Sequence, residues 1–139
     1  MEEQVKEAII AYLEAAKEKD FSRLSSLKAA EFTKFGEVSP YHRLELPEAN
    51  ALEQLQFASL ADLTYEIEDL RVQVYGDIAL ASFLLSLKGV LVDDYSFTGA
   101  LHRSLIRATM VLRRERGRWL HLHHHLSSLP EGERRGQRK

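Results

Sequence analysis

Residues 103–128 read RSLIRATMVLRRERGRWLHLHHHLSS, and the way their two faces sort decides what this chain folds into. Two long runs in β-period flank a turn signal at Arg116-Gly117, and the stretch holds His121, His123, His124 and His125 of the chain's six histidines. A two-residue type I′ loop would force Arg116 to positive φ, whereas the loop Glu115-Arg116-Gly117 needs positive φ only at its glycine. The second choice sets Arg114 opposite Arg118. It puts the pairs Arg113/Trp119, Val111/His121, Thr109/His123 and Arg107/His125 on one face. Leu112/Leu120, Met110/Leu122, Ala108/His124 and Ile106/Leu126 share the other. A one-residue slip mixes polar with aliphatic side chains, so this register is the expected one. The aliphatic face is predicted to lie under helices, and the Arg/Trp/His/Ser face to meet water or another subunit.

A chain of 139 residues makes one domain able to bury a core without staples. It has no cysteine, which excludes disulfides, thiolate chemistry and Cys-based zinc sites. Its net charge of −2, with both signs interspersed, gives no footprint for nucleic acid. No apolar run reaches the roughly 20 residues of a membrane span, and Met-Glu-Glu-Gln is no signal peptide. The expectation is a soluble cytoplasmic protein without a membrane partner.

Upstream, residues 2–19 predict an amphipathic helix through Val5, Ala8, Ile9, Tyr12, Leu13 and Ala16. Asp20 caps a shorter helix carrying Phe21, Leu24 and Leu27. Residues 31–38 read as a short strand of imperfect alternation. Pro47 and Glu48 open a third helix, with Ala51, Leu52, Leu55, Phe57 and Ala58 as its buried stripe. Over 64–75 the apolar parity slips, which predicts a β-bulge near Glu68-Asp69. Residues 78–89 form a central strand and 90–99 a connection with Asp93 and Asp94 in an exposed turn. The polar stretch 131–139 is predicted to be a disordered tail after a single domain over 1–130. Helices followed by antiparallel strands make an α+β domain: a bent sheet with helices on one face.

Taken together, the amphipathic first helix running into KDFSRL, then FTKFGEVSPY, VQVYGDIALAS and above all RATMVLRRERGRWLHLHHHLSS resemble the nuclear transport factor 2-like superfamily in its SnoaL-like branch. The resemblance spans residues 3–130, and its most specific part is Gly117, Arg118, Trp119, His123, His125 and Ser127. The same ending is similar to the association domain of calcium/calmodulin-dependent protein kinase II. The resemblance implies a cone of strongly curved, mostly antiparallel sheet in the cystatin-like manner, with about three helices on its concave face. It also implies a pocket between helices and sheet, and a homodimer formed through the convex face. Functions in such families run from isomerases, cyclases and dehydratases to oligomerising hubs, so fold alone does not set function.

The ketosteroid isomerase mechanism needs a carboxylate base with a tyrosine and a protonated acid as oxyanion hole. Tyr12, eight residues before Asp20, resembles the family's oxyanion tyrosine. The base's region is Glu37-Val38-Ser39, without the aspartate, and the second acid's place is near Thr109. Hub domains carry pocket arginines at positions matching Met110 and Leu126, both apolar here, which argues against a carboxylate-binding pocket of that kind. On one strand face His121, His123 and His125 would stand about 7 Å apart, and the outer pair about 13 Å, too far to share one ion. No metal and no cofactor are therefore expected.

A dimer interface of Arg107, Thr109, Trp119, His121, His123 and His125 is the expectation. The pocket is expected to hold Tyr12, Tyr41, His42, Met110, Leu122, His124 and Leu126 around a small hydrophobic ligand. A non-catalytic role is favoured, because the concave face offers no convergent pair of titratable groups. The alternatives are an isomerase, dehydratase or cyclase acting on a hydrophobic carbonyl compound, with His124 and Tyr12 as acid/base pair, and an oligomerising association module.

Overall fold

The structure, a computed structural model, describes residues 1–92 and 100–130. Helix α1 (Glu2–Glu18) buries Val5, Ile9, Tyr12, Leu13, Ala15 and Ala16, and ends at Lys19 in the left-handed conformation. Asp20 then accepts from the Arg23 backbone N–H and caps α2 (Phe21–Ser26). Strand β1 (Lys28–Phe35) follows, three residues earlier than the sequence pattern places it, and β2 (Leu44–Glu45) precedes α3 (Leu46–Ala58). The chain closes with β3 (Leu60–Tyr75), β4 (Ile78–Leu91), β5 (Ala100–Glu115) and β6 (Arg118–Ser128). One six-stranded sheet runs β2-β1-β6-β5-β4-β3, with only the β1/β6 pair parallel. The architecture is α+β, a curled, mostly antiparallel sheet with three helices. No helix among the described residues is long and apolar enough to cross a membrane. The expected Asp93-Asp94 turn and the tail over 131–139 lie outside the described residues.

Curvature comes where the parity slip demands it. The β3/β4 register shifts between Glu68 and Arg71, with Asp69 at φ 56°, as the sequence predicts. The closing hairpin differs from its predicted register. Its loop has two residues, with Arg116 at φ 51° and Gly117 at φ 77°, so Glu115 pairs with Arg118 and Arg114 with Trp119. Holding an arginine in the left-handed region costs about 1–2 kcal/mol. In return Trp119 turns inward and is buried in the core under the helices. Burying an indole removes about 150–250 Å² from water, worth about 4–6 kcal/mol at 25 cal/mol per Å². Burial of the indole outweighs the strained turn.

A second irregularity then corrects the first. The β5/β6 register shifts again between Val111 and Leu112: Leu112 faces His121, Val111 faces His123, and Leu122 is the extra residue. Beyond this bulge Met110 pairs with His124 and Ala108 with Leu126, so the far half of the hairpin keeps its expected faces. In the near half β5 keeps its expected faces, with Leu112 inside, and those of β6 are reversed. Trp119 and His121 are buried inside rather than set in an outer strip, and Leu122 sits half-buried off the cavity wall.

Helix α3 is also rotated from expectation. Its buried positions are Ala49 and Glu53, with Leu46 and Phe57 packed beside them at i, i+3, i+7 and i+11 spacing. Of the expected stripe Leu52 and Phe57 pack partly buried against the core, whereas Ala51 and Ala58 are exposed and Leu55 is 66% exposed. A pattern that assigns glutamate to solvent cannot find this face, because the stripe runs through Glu53.

Candidate functional site

Why a glutamate lies inside is answered by β1. Phe32 and Lys34 share one side of that strand, facing α3, and Lys28 enters the same layer from the strand's start. Lys28 Nζ donates to Glu53 Oε1 at 2.7 Å and to Asn50 Oδ1 at 2.7 Å, while Lys34 Nζ donates to Glu53 Oε2 at 2.9 Å. Asn50 is fixed in turn by its amide, which donates to Ser25 Oγ at 3.0 Å. The Lys28 ammonium also lies over the rings of Tyr12 and Phe32 at 5.5 and 5.4 Å. The Tyr12 hydroxyl lies near enough to the Glu53 carboxylate for the two to interact. Burial alone would raise the Glu53 carboxyl, but the two ammoniums and these hydrogen bonds outweigh it and hold it at about 2. Desolvation, aided by the Glu53 charge, pushes Tyr12 well above its ordinary value. Burial lowers Lys28, against the pull of Glu53.

The bulge in β6 sets a pair of histidines against this triad. His121 Nδ1 and His124 Nε2 are 2.8 Å apart, and His121 Nε2 lies 3.0 Å from the Ala8 carbonyl oxygen of α1. A carbonyl only accepts, so His121 carries its proton on Nε2 and accepts at Nδ1. His124 must then donate from Nε2, which leaves its Nδ1 as a bare lone pair. That atom has no hydrogen-bond partner among the described residues. Desolvation pushes His121 down to about 4 and His124 well below the usual imidazole range, with Lys34 and Lys28 adding to the shift at His124. Both rings are neutral at pH 7.

These groups meet a cavity of about 550 Å³ between helices and sheet. Its wall is largely aliphatic, from Leu13, Leu63, Leu85, Leu87, Ile106, Met110 and Leu126. Tyr12, Lys34 and His124 border it together at a polar end, where the charge of Glu37 also reaches Tyr12, and Arg103 borders it too. Tyr65, also on the wall, donates to Glu14 Oε2 at 2.6 Å. The His124 ring borders the cavity but is closed to water, packed edge-on against Tyr12 and Phe32 at centroid distances of 4.8 and 5.0 Å.

Of the pocket residues expected from sequence, Tyr12, Met110, His124 and Leu126 border the cavity and Leu122 does not. Tyr41 is 71% exposed and edges an outer, open depression shared with Phe35, Glu37, His125 and Leu126. His42 borders neither and lies 3.7 Å from Glu48 on the surface. Arg107, Thr109, His123 and His125 do stand on the outer face: Arg107 reaches Ser127 Oγ, Thr33 Oγ1 lies 2.8 Å from His123 Nδ1, and Phe35 packs against His123 and His125. Trp119 and His121 are not there, which also removes the three-histidine strip. The expectation that no titratable groups converge on the concave face is overturned, because Tyr12, Lys34, Glu53, His121 and His124 do so. Lys28, Lys34 and Glu53 went unrecognised. The spacing of Glu53 with Leu46, Ala49 and Phe57, and the shared parity of Phe32 and Lys34, were the available signals.

Among solved structures, the fold is similar to a dehydratase candidate of the nuclear transport factor 2-like family from Streptomyces avermitilis, at 27% identity and a TM-score of 0.78 over 91% of this chain and 95% of that one. A candidate calcium/calmodulin dependent protein kinase II association domain from Xanthomonas campestris matches at 19% identity and TM-score 0.75, over 91% and 86%. A ketosteroid isomerase-like protein from Erwinia carotovora atroseptica matches at 20% and 0.71, over 93% and 96%. A comparison with curated proteins finds no match. The model of the SnoaL-like domain matches residues 5–131, nearly the whole described fold. On that match, and on the curled sheet and helices that carry it, the chain belongs to the SnoaL-like domain family.

Proposed function

We propose that this domain binds a small, largely apolar molecule in its cavity, with the molecule's oxygen-bearing end against Tyr12, Lys34 and His124. The observation that carries this reading is the pairing of about 550 Å³ of mostly aliphatic space with one polar end. A buried ion triad is no more stabilising than well-packed hydrophobes of similar volume. Its place beside the cavity is thus better explained by what the cavity holds than by stability.

The naphthyl ketone prodan, whose emission moves to the blue in apolar surroundings, tests the reading. It is expected to bind saturably at one site per chain, and Leu87→Trp, which fills the cavity from its half-buried wall, is expected to weaken binding by about tenfold or more. Unsaturable binding, or binding indifferent to Leu87→Trp, overturns it.

A second reading, proton transfer on a hydrophobic carbonyl compound in the manner of an isomerase, dehydratase or cyclase, is favoured by the unpaired His124 Nδ1, a buried atom that a shift of the ring would have to turn toward the cavity. His124 would take the proton as base, and Lys34 would hold the oxygen on which charge develops. Tyr12 suits the acid role poorly, since burial and the neighbouring Glu53 charge hold its pKa well above the ordinary value. The 27% identical dehydratase candidate supports the same class of chemistry. For the outer face, where Phe35, Val111, Leu120 and Leu122 are half-buried beside Arg107, Thr109, His123 and His125, we propose pairing with a second copy. Sedimentation of the intact chain decides between dimer and monomer.

A further inference from the structure

The charges behind the cavity's polar end do not balance. Lys28 and Lys34 supply two ammoniums and Glu53 one carboxylate, all buried. Lys28 is spent: it has two oxygen partners and two ring faces, and it does not border the cavity. Lys34 does border it. An ammonium has three N–H donors, and the one hydrogen bond seen for Lys34 goes to Glu53. The surplus positive charge therefore sits at Lys34, on the cavity side. Glu37, the one carboxylate bordering the cavity among the described residues, makes no ion pair with Lys34, although its charge reaches Tyr12, and Arg103 adds a further positive charge to the wall. The remaining wall is mainly aliphatic and offers no counter-charge.

We infer that the molecule this cavity is built for carries one carboxylate, or an equally compact oxyanion, seated on the Lys34 ammonium, with its apolar body along Leu85, Leu87, Met110 and Leu126. This rests on the cavity being a ligand site, and it specifies the ligand's charge. A neutral carbonyl would accept one hydrogen bond and leave the surplus charge uncompensated. An anion satisfies both the free donors and the charge, in surroundings where charge-assisted hydrogen bonds are about twice as strong as neutral ones. The site differs from an arginine-lined one, since the arginine positions of hub domains are Met110 and Leu126 here.

The test is calorimetric titration of the full chain at pH 7.5 with two acid–amide pairs of similar shape: biphenyl-4-carboxylate against biphenyl-4-carboxamide, and decanoate against decanamide. In at least one pair the acid is expected to bind about tenfold or more tightly than its amide. Lys34→Met is expected to erase that preference and Lys34→Arg to retain it. Because Lys34→Met could lose its fold, the wild-type acid-to-amide ratio stands as a test that needs no variant. Amides binding as tightly as acids, or no acid binding while prodan does, overturns the inference and leaves the cavity reading intact. If prodan, acids and amides all fail to bind, both fall.

Discussion

Replacing Glu53 by alanine is expected to lower the free energy of unfolding by about 3–5 kcal/mol, the range seen when one partner of a buried ion pair is removed. The change strips the shared carboxylate from between two buried ammoniums at 2.7 and 2.9 Å and removes the charge beside the Tyr12 hydroxyl. Leu55→Ala, two residues along the same helix, is expected to cost within about 0.5 kcal/mol, because that leucine is 66% exposed. Hydropathy alone would order the two the other way. Replacing Lys28, Lys34 and Glu53 together by methionine is expected to recover most of the loss, since no charge is then left buried. Urea denaturation of the variants checks all three. A loss below about 1 kcal/mol for Glu53→Ala would mean the lysines do not depend on it.

The second large effect is acid instability that begins near the ordinary histidine range. His121 is neutral in the fold down to about pH 4, whereas in the unfolded chain it takes a proton near 6.5. Between those values the unfolded state binds more protons, so stability falls as pH falls. The difference of about 2.5 pH units corresponds to roughly 3 kcal/mol at 1.36 kcal/mol per unit, all of it lost by pH 4. His124 is shifted the same way and adds to the loss. The Glu53 carboxyl, held at about 2 against an ordinary 4.5, extends the decline from pH 4.5 downward. Denaturation series at pH 7, 5.5 and 4 are expected to show a steep drop, and His121→Phe to flatten its upper part. A profile level between pH 6.5 and 5 would show that these rings are not held neutral.

Much of the frame was legible because it follows apolar periodicity. The stripe of α1, the Asp20 cap, the Glu68-Asp69 bulge and the place of β4 between two neighbours all lie where spacing alone puts them. The candidate site was not, for reasons that share one cause. Local rules send an arginine away from positive φ and a glutamate toward water, and at Arg116 and Glu53 tertiary packing outweighs both. Burial of Trp119 carries the tight turn, and two lysines carry the buried carboxylate. The turn's shift reverses the faces of Trp119 and His121, and only the extra residue Leu122 returns His124 and Leu126 to the concave side. A bulge inside a run of alternating Leu and His leaves no mark in hydropathy. Of the residues brought together there, Tyr12 and His124 read from sequence as pocket residues and His121 as part of the outer strip, so nothing joined the three.

Nitrogen-15 spectra of the histidine rings at pH 6, recorded before and after prodan is added, test most directly whether His124 is held neutral beside the cavity with its Nδ1 unprotonated. His121 and His124 are expected to show neutral rings with the proton on Nε2, and ligand is expected to move the His124 Nδ1 resonance while leaving that of His121 Nδ1 nearly in place. A charged His124 at pH 6, or a proton on its Nδ1, would contradict the account.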